Sequence, residues 1–217
     1  MRDIVKKIII SILLLEAKLV IRKYKPKIVA ITGSVGKTST KDAIYSVISS
    51  GTHVRKSEKS FNSEIGIPLT ILGQPNGWGD PLRWLQNIID GFFLIILPAR
   101  YPEWLVLEVG ADRPGDISKL AAWLPVDIAV ITRLPEVPVH VEFFDSPEAV
   151  VEEKASLIGA LRPAGTFILF ADDPRTEGLK ARANGRTVIM FGTSPTADVH
   201  VEHIVPIFGQ DDYPEGM

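Results

Sequence analysis

From Lys27 onward, short uninterrupted apolar runs alternate with longer segments whose apolar residues recur at helical spacing. The runs Lys27–Thr32 (KIVAIT), Trp104–Val109 (WLVLEV), Asp127–Thr132 (DIAVIT), Thr166–Phe170 (TFILF) and Thr187–Phe191 (TVIMF) read as strands. Their interiors are continuously apolar, which predicts strands covered on both faces. Helices are predicted at Thr38–Ser49, Ser63–Leu72, Asp80–Leu97, Asp116–Leu124, Ser146–Leu161 and Arg175–Ala183. This alternation argues an α/β fold with an open, mostly parallel sheet flanked by helices. Ala197–Val205 reads as a further strand and Gly209–Met217 as a polar, turn-rich tail. The division expected is a helix over 1–25, an α/β domain over 26–205 and a truncated tail over 206–217, with no internal repeat.

The amino-terminal segment is apolar but interrupted. Ile8–Leu15 (IIISILLL) follows Lys6-Lys7, and Glu16 and Lys18 break the run. It is shorter than the roughly 20 residues a bilayer span needs, and no small-residue cleavage site follows it. As a helix it sets Lys7, Ser11, Lys18 and Arg22 on one narrow polar stripe. Two readings stay open: a helix packed on a domain or a neighbouring chain, or peripheral contact of residues 1–23 with an anionic membrane surface.

The 217 residues are 46% hydrophobic and 23% charged, enough to bury a core and to exclude a disordered chain. The formal net charge of −2 gives no basic excess of the kind that marks a nucleic-acid binder. The absence of cysteine removes disulfides, thiolate metal sites and cysteine nucleophiles, and fits the reducing cytoplasm, at its membrane surface if the first helix docks there.

The strongest local signal is Thr32-Gly33-Ser34-Val35-Gly36-Lys37-Thr38, which follows a predicted strand and opens a predicted helix. That is the setting of a phosphate-binding loop. Gly33 and Gly36 allow a tight turn that aims N–H groups inward, and the helix dipole adds to them. Lys37 would reach the outer phosphates and the Thr38 hydroxyl would ligate Mg²⁺. The general pattern wants a further glycine where Ile31 stands; the plain alternative is an ordinary glycine turn with an exposed lysine.

Ligands of open α/β sheets bind beyond the carboxyl ends of the strands. Glu108 ends one strand inside an apolar run, where a carboxylate is costly unless a cation or donors meet it. Thr132-Arg133 ends the next strand, His140 follows in the loop, and Asp172-Asp173 ends another. Singly, Glu108 reads equally as a solvated strand-end acid and His140 as a plain loop histidine; their gathering at one edge raises the functional reading. Lys154 falls in the middle of the apolar stripe Val150, Val151, Leu157, Ile158, Leu161. It must either snorkel out or change its charge state, and a neutral amine could take up CO₂ as a carbamate able to bind metal.

Four blocks carry a family resemblance: ITGSVGKTSTKDAI (Ile31–Ile44), FNSEIGIPLTIL (Phe61–Leu72), LEVGADRPGDISKL (Leu107–Leu120) and HVEFFDSPEAVVEEKASLI (His140–Ile158). In order and spacing they resemble the central ATPase domain of the Mur ligases over about Lys27–His203, and the family's loop, T-G-x-x-G-K-T, accounts for Ile31. The resemblance implies an ATP-dependent acid–amino acid ligase of peptidoglycan precursor synthesis, which activates a carboxylate as an acyl phosphate before an amine attacks. It implies that Gly33, Ser34, Val35, Gly36, Lys37, Thr38 and Ser39 hold the phosphates of ATP, with Lys37, His140 and Lys154 catalytic. Thr38, Glu108, His140 and a carbamylated Lys154 would be the Mg²⁺ ligands, Asn62 and Ser63 the substrate-side pair, and Asp172 the residue carried over near the nucleoside. Phe61–Leu72 favours the branch that joins D-Ala-D-Ala to a UDP-linked muramoyl tripeptide. The folylpolyglutamate and cyanophycin synthetases share this central fold.

The departures are informative. Arg133-Leu134-Pro135-Glu136 replaces the family's Asn-Ile-Gly-like run, and Phe170-Ala171-Asp172 replaces Asn-x-Asp. The family's UDP-sugar-binding domain is replaced by one hydrophobic helix, and its carboxy-terminal domain is absent, so ligation is expected to need that domain or a partner chain. The stretch from Asn76 to Tyr101 is long and apolar and is expected to pair with the first helix. A nucleotide-binding scaffold without ligase activity is the reading from another class; an unrelated P-loop kinase or GTPase is a third, and the N-K-x-D guanine motif is absent.

Overall fold

The computed structural model describes residues 2–58, 64–134 and 143–202. Seven strands, β1 Lys27–Thr32, β2 Val54–Lys56, β3 Trp104–Glu108, β4 Val126–Ile131, β5 Leu161–Phe170, β6 Thr187–Gly192 and β7 Val199–His200, form one sheet in the order β2-β3-β1-β4-β5-β6-β7. Every pairing in it is parallel. The helices are α1 Arg2–Tyr24, α2 Lys37–Ser49, α3 Gly66–Leu72, α4 Pro81–Ile96, α5 Asp116–Ala121, α6 Pro147–Ala155 and α7 Thr176–Ala181.

Period-two alternation divides the core. Val29, Ile31, Val106 and Val130 point to one face and pack with Ile44, Tyr45 and Ile48 of α2. Ile28, Ala30, Leu105 and Leu107 point to the other, where they join α1, α3, α5 and the segment after α6. Both faces are covered, as continuous apolar strands require.

Helix α1 belongs to this core. Leu13, Ala17 and Val20 are fully buried, and α1 packs on both α3 and α4. Lys23 Nζ and the Tyr24 hydroxyl donate to the carbonyls of Leu94 and Leu97, closing the carboxyl end of α4. Tyr24 also stacks on Tyr101 at 4.6 Å between ring centroids. The packed-helix reading therefore holds for the inner side of α1, and the predicted pairing with the apolar stretch is with α4. Asp80 caps α4 through the N–H groups of Leu82 and Arg83, with Pro81 in its first turn. Among the described residues no helix is long and apolar enough to cross a membrane.

Several predicted boundaries move. The helix expected over Ser146–Leu161 ends at Ala155, continues as a 3₁₀ turn over Ser156–Ala160, and gives way to β5 at Leu161, which pairs with Val126. Strand β5 thus begins five residues before the predicted Thr166, with a register shift between Val126 and Ile128. The helices expected to end at Leu124 and Ala183 stop at Ala121 and Ala181. The strand expected over Ala197–Val205 is reduced, within the described residues, to Val199–His200. Strand β2 was not predicted.

Candidate functional site

Strand β1 is paired with β3 on one side and β4 on the other, so the chain reverses direction across the sheet at β1. Its carboxyl end is the topological switch point where open α/β sheets bind ligands. The Gly33–Gly36 loop leaves the sheet there. Gly33 has φ +141°, and a Cβ at this position would lie 1.9 Å from Thr132 Oγ1. That hydroxyl donates to the carbonyls of Thr32 and Val35, so the end of β4 braces the loop. Gly36 is left-handed at the N-cap of α2 and supplies no side-chain cap. The first-turn N–H groups of Lys37, Thr38 and Ser39 accordingly have no intrahelical acceptor and point along the helix axis toward the loop mouth.

Two lysines converge on one carbonyl. Lys37 Nζ donates to Gly33 O at 2.9 Å, and Lys154 Nζ, arriving from α6, donates to the same oxygen at 3.1 Å. Lys154 is 3% exposed, which excludes the snorkelling alternative. Burial, and after it the neighbouring Lys37 cation, lowers its pKa to about 8. Burial also pushes Lys37 down, while Glu108 and Asp112 act to raise it.

Glu108 meets both the donor and the cation its position demands. Thr38 Oγ1 donates to its carboxylate oxygens at 3.2 and 3.0 Å, and Lys41 Nζ lies 3.6 Å from Oε2. Lys41 is itself only 2% exposed. The hydroxyl and carboxylate side by side are hard oxygen donors of the kind magnesium takes, and in the loop itself Ser34 Oγ is buried without a hydrogen-bond partner. These residues fit a triphosphate with its metal. Among the described residues no cluster of three or more His, Asp or Glu side chains gathers as a ready-made metal site.

Not every expected residue falls in this cluster. The N–H groups of Ser34 and Val35, expected on phosphate oxygens, donate to the Arg133 carbonyl at 3.0 and 3.3 Å, because Val35 forms an isolated antiparallel bridge with Arg133. Asp172 lies two strands away, after β5, and its carboxylate accepts from Thr193 N, Thr193 Oγ1 and Ser194 N in the turn after β6. Asp173 instead ties the end of β4 to α7, accepting from Leu134 N and Arg175 N. Asn62, Ser63 and His140 lie outside the described residues.

Three positions around the loop escape sequence reasoning. Lys41 sits one turn after Lys37 in an outwardly polar helix, and only the approach of β3 reveals that it is buried. Asp112, in the loop after β3, acts electrostatically on both Lys37 and Lys154; its place just past Glu108 was the available signal. Glu153 accepts from the N–H groups of Gly115, Ile117 and Ser118, capping α5 from α6 and thereby fixing the helix that carries Lys154.

Comparison with known proteins bears on the family and the fold. The sequence model of the Mur ligase middle domain matches residues 31–80 and 93–210. The UDP-N-acetylmuramoyl-tripeptide--D-alanyl-D-alanine ligase of Bacillus subtilis is 31% identical over 158 residues, covering 73% of this chain and 29% of that protein. Its counterpart in Mycobacterium leprae is 32% identical over 161 residues, 74% of this chain and 26% of that one. The chain therefore spans between a quarter and a third of the length of these curated relatives. Among solved structures, MurF ligase from Thermotoga maritima in complex with ADP superimposes with a TM-score of 0.65 at 28% identity, over 86% of this chain and 37% of its own. MurF from Acinetobacter baumannii gives a TM-score of 0.66 at 21% identity over 86% of this chain and 35% of that one, a likeness of fold. A phosphate-type loop at the switch point, an acid and a lysine delivered to it from β3 and α6, and a family match over more than half the residues lead to one assignment: this chain belongs to the Mur ligase family and contains its middle domain.

Proposed function

We propose that this chain binds MgATP over the Gly33–Lys37 turn and supplies the carboxylate-activating half of an ATP-dependent acid–amino acid ligase, in the branch that adds D-Ala-D-Ala to a UDP-linked muramoyl tripeptide. The observation that carries the proposal is the convergence of Lys37 and Lys154 on the Gly33 carbonyl, next to the Thr38–Glu108 pair. The Lys37 ammonium and the open first turn of α2 favour phosphate at that place, while burial and the nearby Lys37 cation favour the neutral amine of Lys154 from which a carbamate forms.

In the proposed reaction a substrate carboxylate oxygen attacks the γ-phosphorus of ATP, the bond to the β-phosphate oxygen breaks, and ADP leaves. The incoming amine then attacks the acyl carbon, loses a proton and expels inorganic phosphate. Lys37 holds the outer phosphates as a point charge, and Thr38 and Glu108, with His140 added by resemblance, would hold the metal. Magnesium, when bound, neutralises charge on the bridging phosphate oxygens. Glu108 is kept in place by Lys41 and by the Ser57 hydroxyl, which accepts the Glu108 N–H at 3.2 Å. Lys154 would act as its carbamate, which turns a cation into an anionic oxygen donor. Thr132 stiffens the loop so that little reorganisation accompanies binding.

The parts of the relatives beyond the aligned third are the expected carriers of the UDP-sugar and amine sites, so complete ligation is proposed only together with such domains. The scaffold reading has one observation in its favour: the Asp172 carboxylate is already engaged by Thr193 and Ser194. Titration of the chain with ADP and MgATP tests the assignment. Lys37→Ala should weaken binding about 10- to 100-fold, the worth of a charge-assisted contact to phosphate; unchanged affinity would remove the loop from the site. Tight ATP binding with no phosphate release, with the substrates and the family's other domains supplied, would favour the scaffold.

A further inference from the structure

Helix α4 turns an apolar stripe to solvent, bordered by exposed Arg83 and Gln86. Leu82, Leu85, Ile89, Phe92, Phe93 and Ile96 are each between 44% and 76% exposed and recur at helical spacing along one stripe. The opposite side of the helix, with Asn87 and Gly91, is buried against α1. Helix α1 continues the surface: Ile8, Leu15 and Leu19 are exposed on the side of the helix that leans toward α4. An apolar cleft of about 700 Å³ opens between the two helices at its edge, lined by Val5, Ile9, Ile65, Trp78 and Trp84, with Lys6 at the rim. A contiguous exposed apolar surface of this kind marks an interaction site.

The rim of that surface is cationic. Seven Lys and Arg residues against two acids fall in residues 1–25, a net +5 in a chain whose total is −2, so the remainder carries −7. Lys7, Lys18 and Arg22 are exposed along α1 on the flank away from α4. Lys18, Arg22, Lys25 and Arg162 surround one open hollow beside Trp123. The family match, moreover, omits residues 1–30 and 81–92, the whole of α1 and three turns of α4. The two helices that build the surface thus lie largely outside that match, and neither is long and apolar enough to cross a membrane.

We infer that the α1–α4 surface is a peripheral membrane-docking platform, with the α4 stripe and the Ile8–Leu19 edge of α1 entering the lipid interface and the α1 cations meeting anionic headgroups. An apolar side with a basic fringe is the pattern of helices that lie in the interface plane. The net +5 of residues 1–25, set beside this apolar surface, is complemented by an anionic lipid surface. Docking in this way would hold the carboxyl edge of the sheet near a membrane surface with no spanning helix among the described residues.

The test is co-sedimentation of the full chain with phosphatidylcholine vesicles, with and without phosphatidylglycerol, at low and high salt. Binding is expected only to the phosphatidylglycerol vesicles and should weaken as salt screens the headgroups. The triple variant Leu85→Ser/Phe92→Ser/Ile96→Ser changes exposed positions only and should lower vesicle affinity more than about tenfold, with ADP affinity as the control for folding. Lys7→Gln/Lys18→Gln/Arg22→Gln should lower it about a hundredfold on anionic vesicles. Failure of the unmodified chain to bind anionic vesicles overturns the inference, as does binding that the apolar triple variant leaves unchanged. A dimer in sedimentation equilibrium that the apolar triple variant disperses, with no vesicle binding, would assign the surface to a second copy.

Discussion

Glu16 is an acid in the wrong medium, and its removal should stabilise the protein. It is 6% exposed between α1 and α4, its Oε2 has no hydrogen-bond partner, and it lies where a Cβ on Gly91 would touch the carboxylate. Burial raises its pKa from 4.5 to about 7. The folded state thus keeps a proton between those values that the unfolded chain releases. The stabilisation from that proton is complete below the ordinary value and is lost as pH rises through about 7. Holding the carboxyl neutral over that range corresponds to about 3 kcal/mol, and access of water to its exposed edge lowers this to about 2 kcal/mol. Glu16→Gln is neutral throughout and leaves the packing and the unpaired polar atom in place, so it isolates the charge. Urea unfolding followed by tryptophan fluorescence should find the variant about 2 kcal/mol more stable than the parent near pH 8, with the gap closing near pH 4.5. A gap that is constant with pH, or of opposite sign at pH 8, would refute the argument that burial of this charge opposes folding.

Other perturbations address the site. Gly33→Ala combines an unfavourable φ with overlap on Thr132, and should cost about 3 kcal/mol or more and abolish nucleotide binding; adding Thr132→Ala should recover part of the stability, read by thermal unfolding of the double-mutant cycle. For Lys154, with its pKa lowered to about 8, the neutral amine fraction rises steeply across neutral pH. Carbon-13 NMR in ¹³C-labelled bicarbonate should show a carbamate signal that grows toward alkaline pH and is absent in Lys154→Ala, and absence from the parent chain would discard the carbamate. Turnover lost in Lys154→Ala should be partly restored by short-chain carboxylates. Glu153→Gln removes the charge from a cap that accepts three N–H groups; a loss of about 1–2 kcal/mol in stability together with weaker carbamate formation is expected, and an unaltered carbamate signal would disconnect the cap from Lys154.

What was legible in the sequence was local. The loop at Gly33–Thr38, the strand before it and the burial of Lys154 within an apolar stripe all follow from neighbours in the chain. What escaped depends on distant segments. Strand β2 is three residues long and includes Arg55 and Lys56, so neither length nor composition announces it; it exists through its pairing with β3. The Leu161–Gly165 segment contains Pro163 and Gly165 and reads as a helix end, yet Leu161 is held as a strand by Val126. Lys41 is polar in a polar helix until β3 brings Glu108 to it. The outer stripe of α4 has the periodicity of a core-facing helix, and sequence alone does not distinguish which of its two sides meets the protein.

The way α1 is seated has a practical consequence for anyone dissecting this molecule. Its inner residues share one core with β1 and with α3, all of whose residues are buried, while Lys23 and Tyr24 hold the far end of α4. Clipping the chain near Lys25 would therefore strip a wall from the interior and unfasten a second helix at once. Point substitutions on the outside of α1 can separate surface attachment from folding; amputation of the helix cannot, and a shortened protein that precipitates would say nothing about lipid.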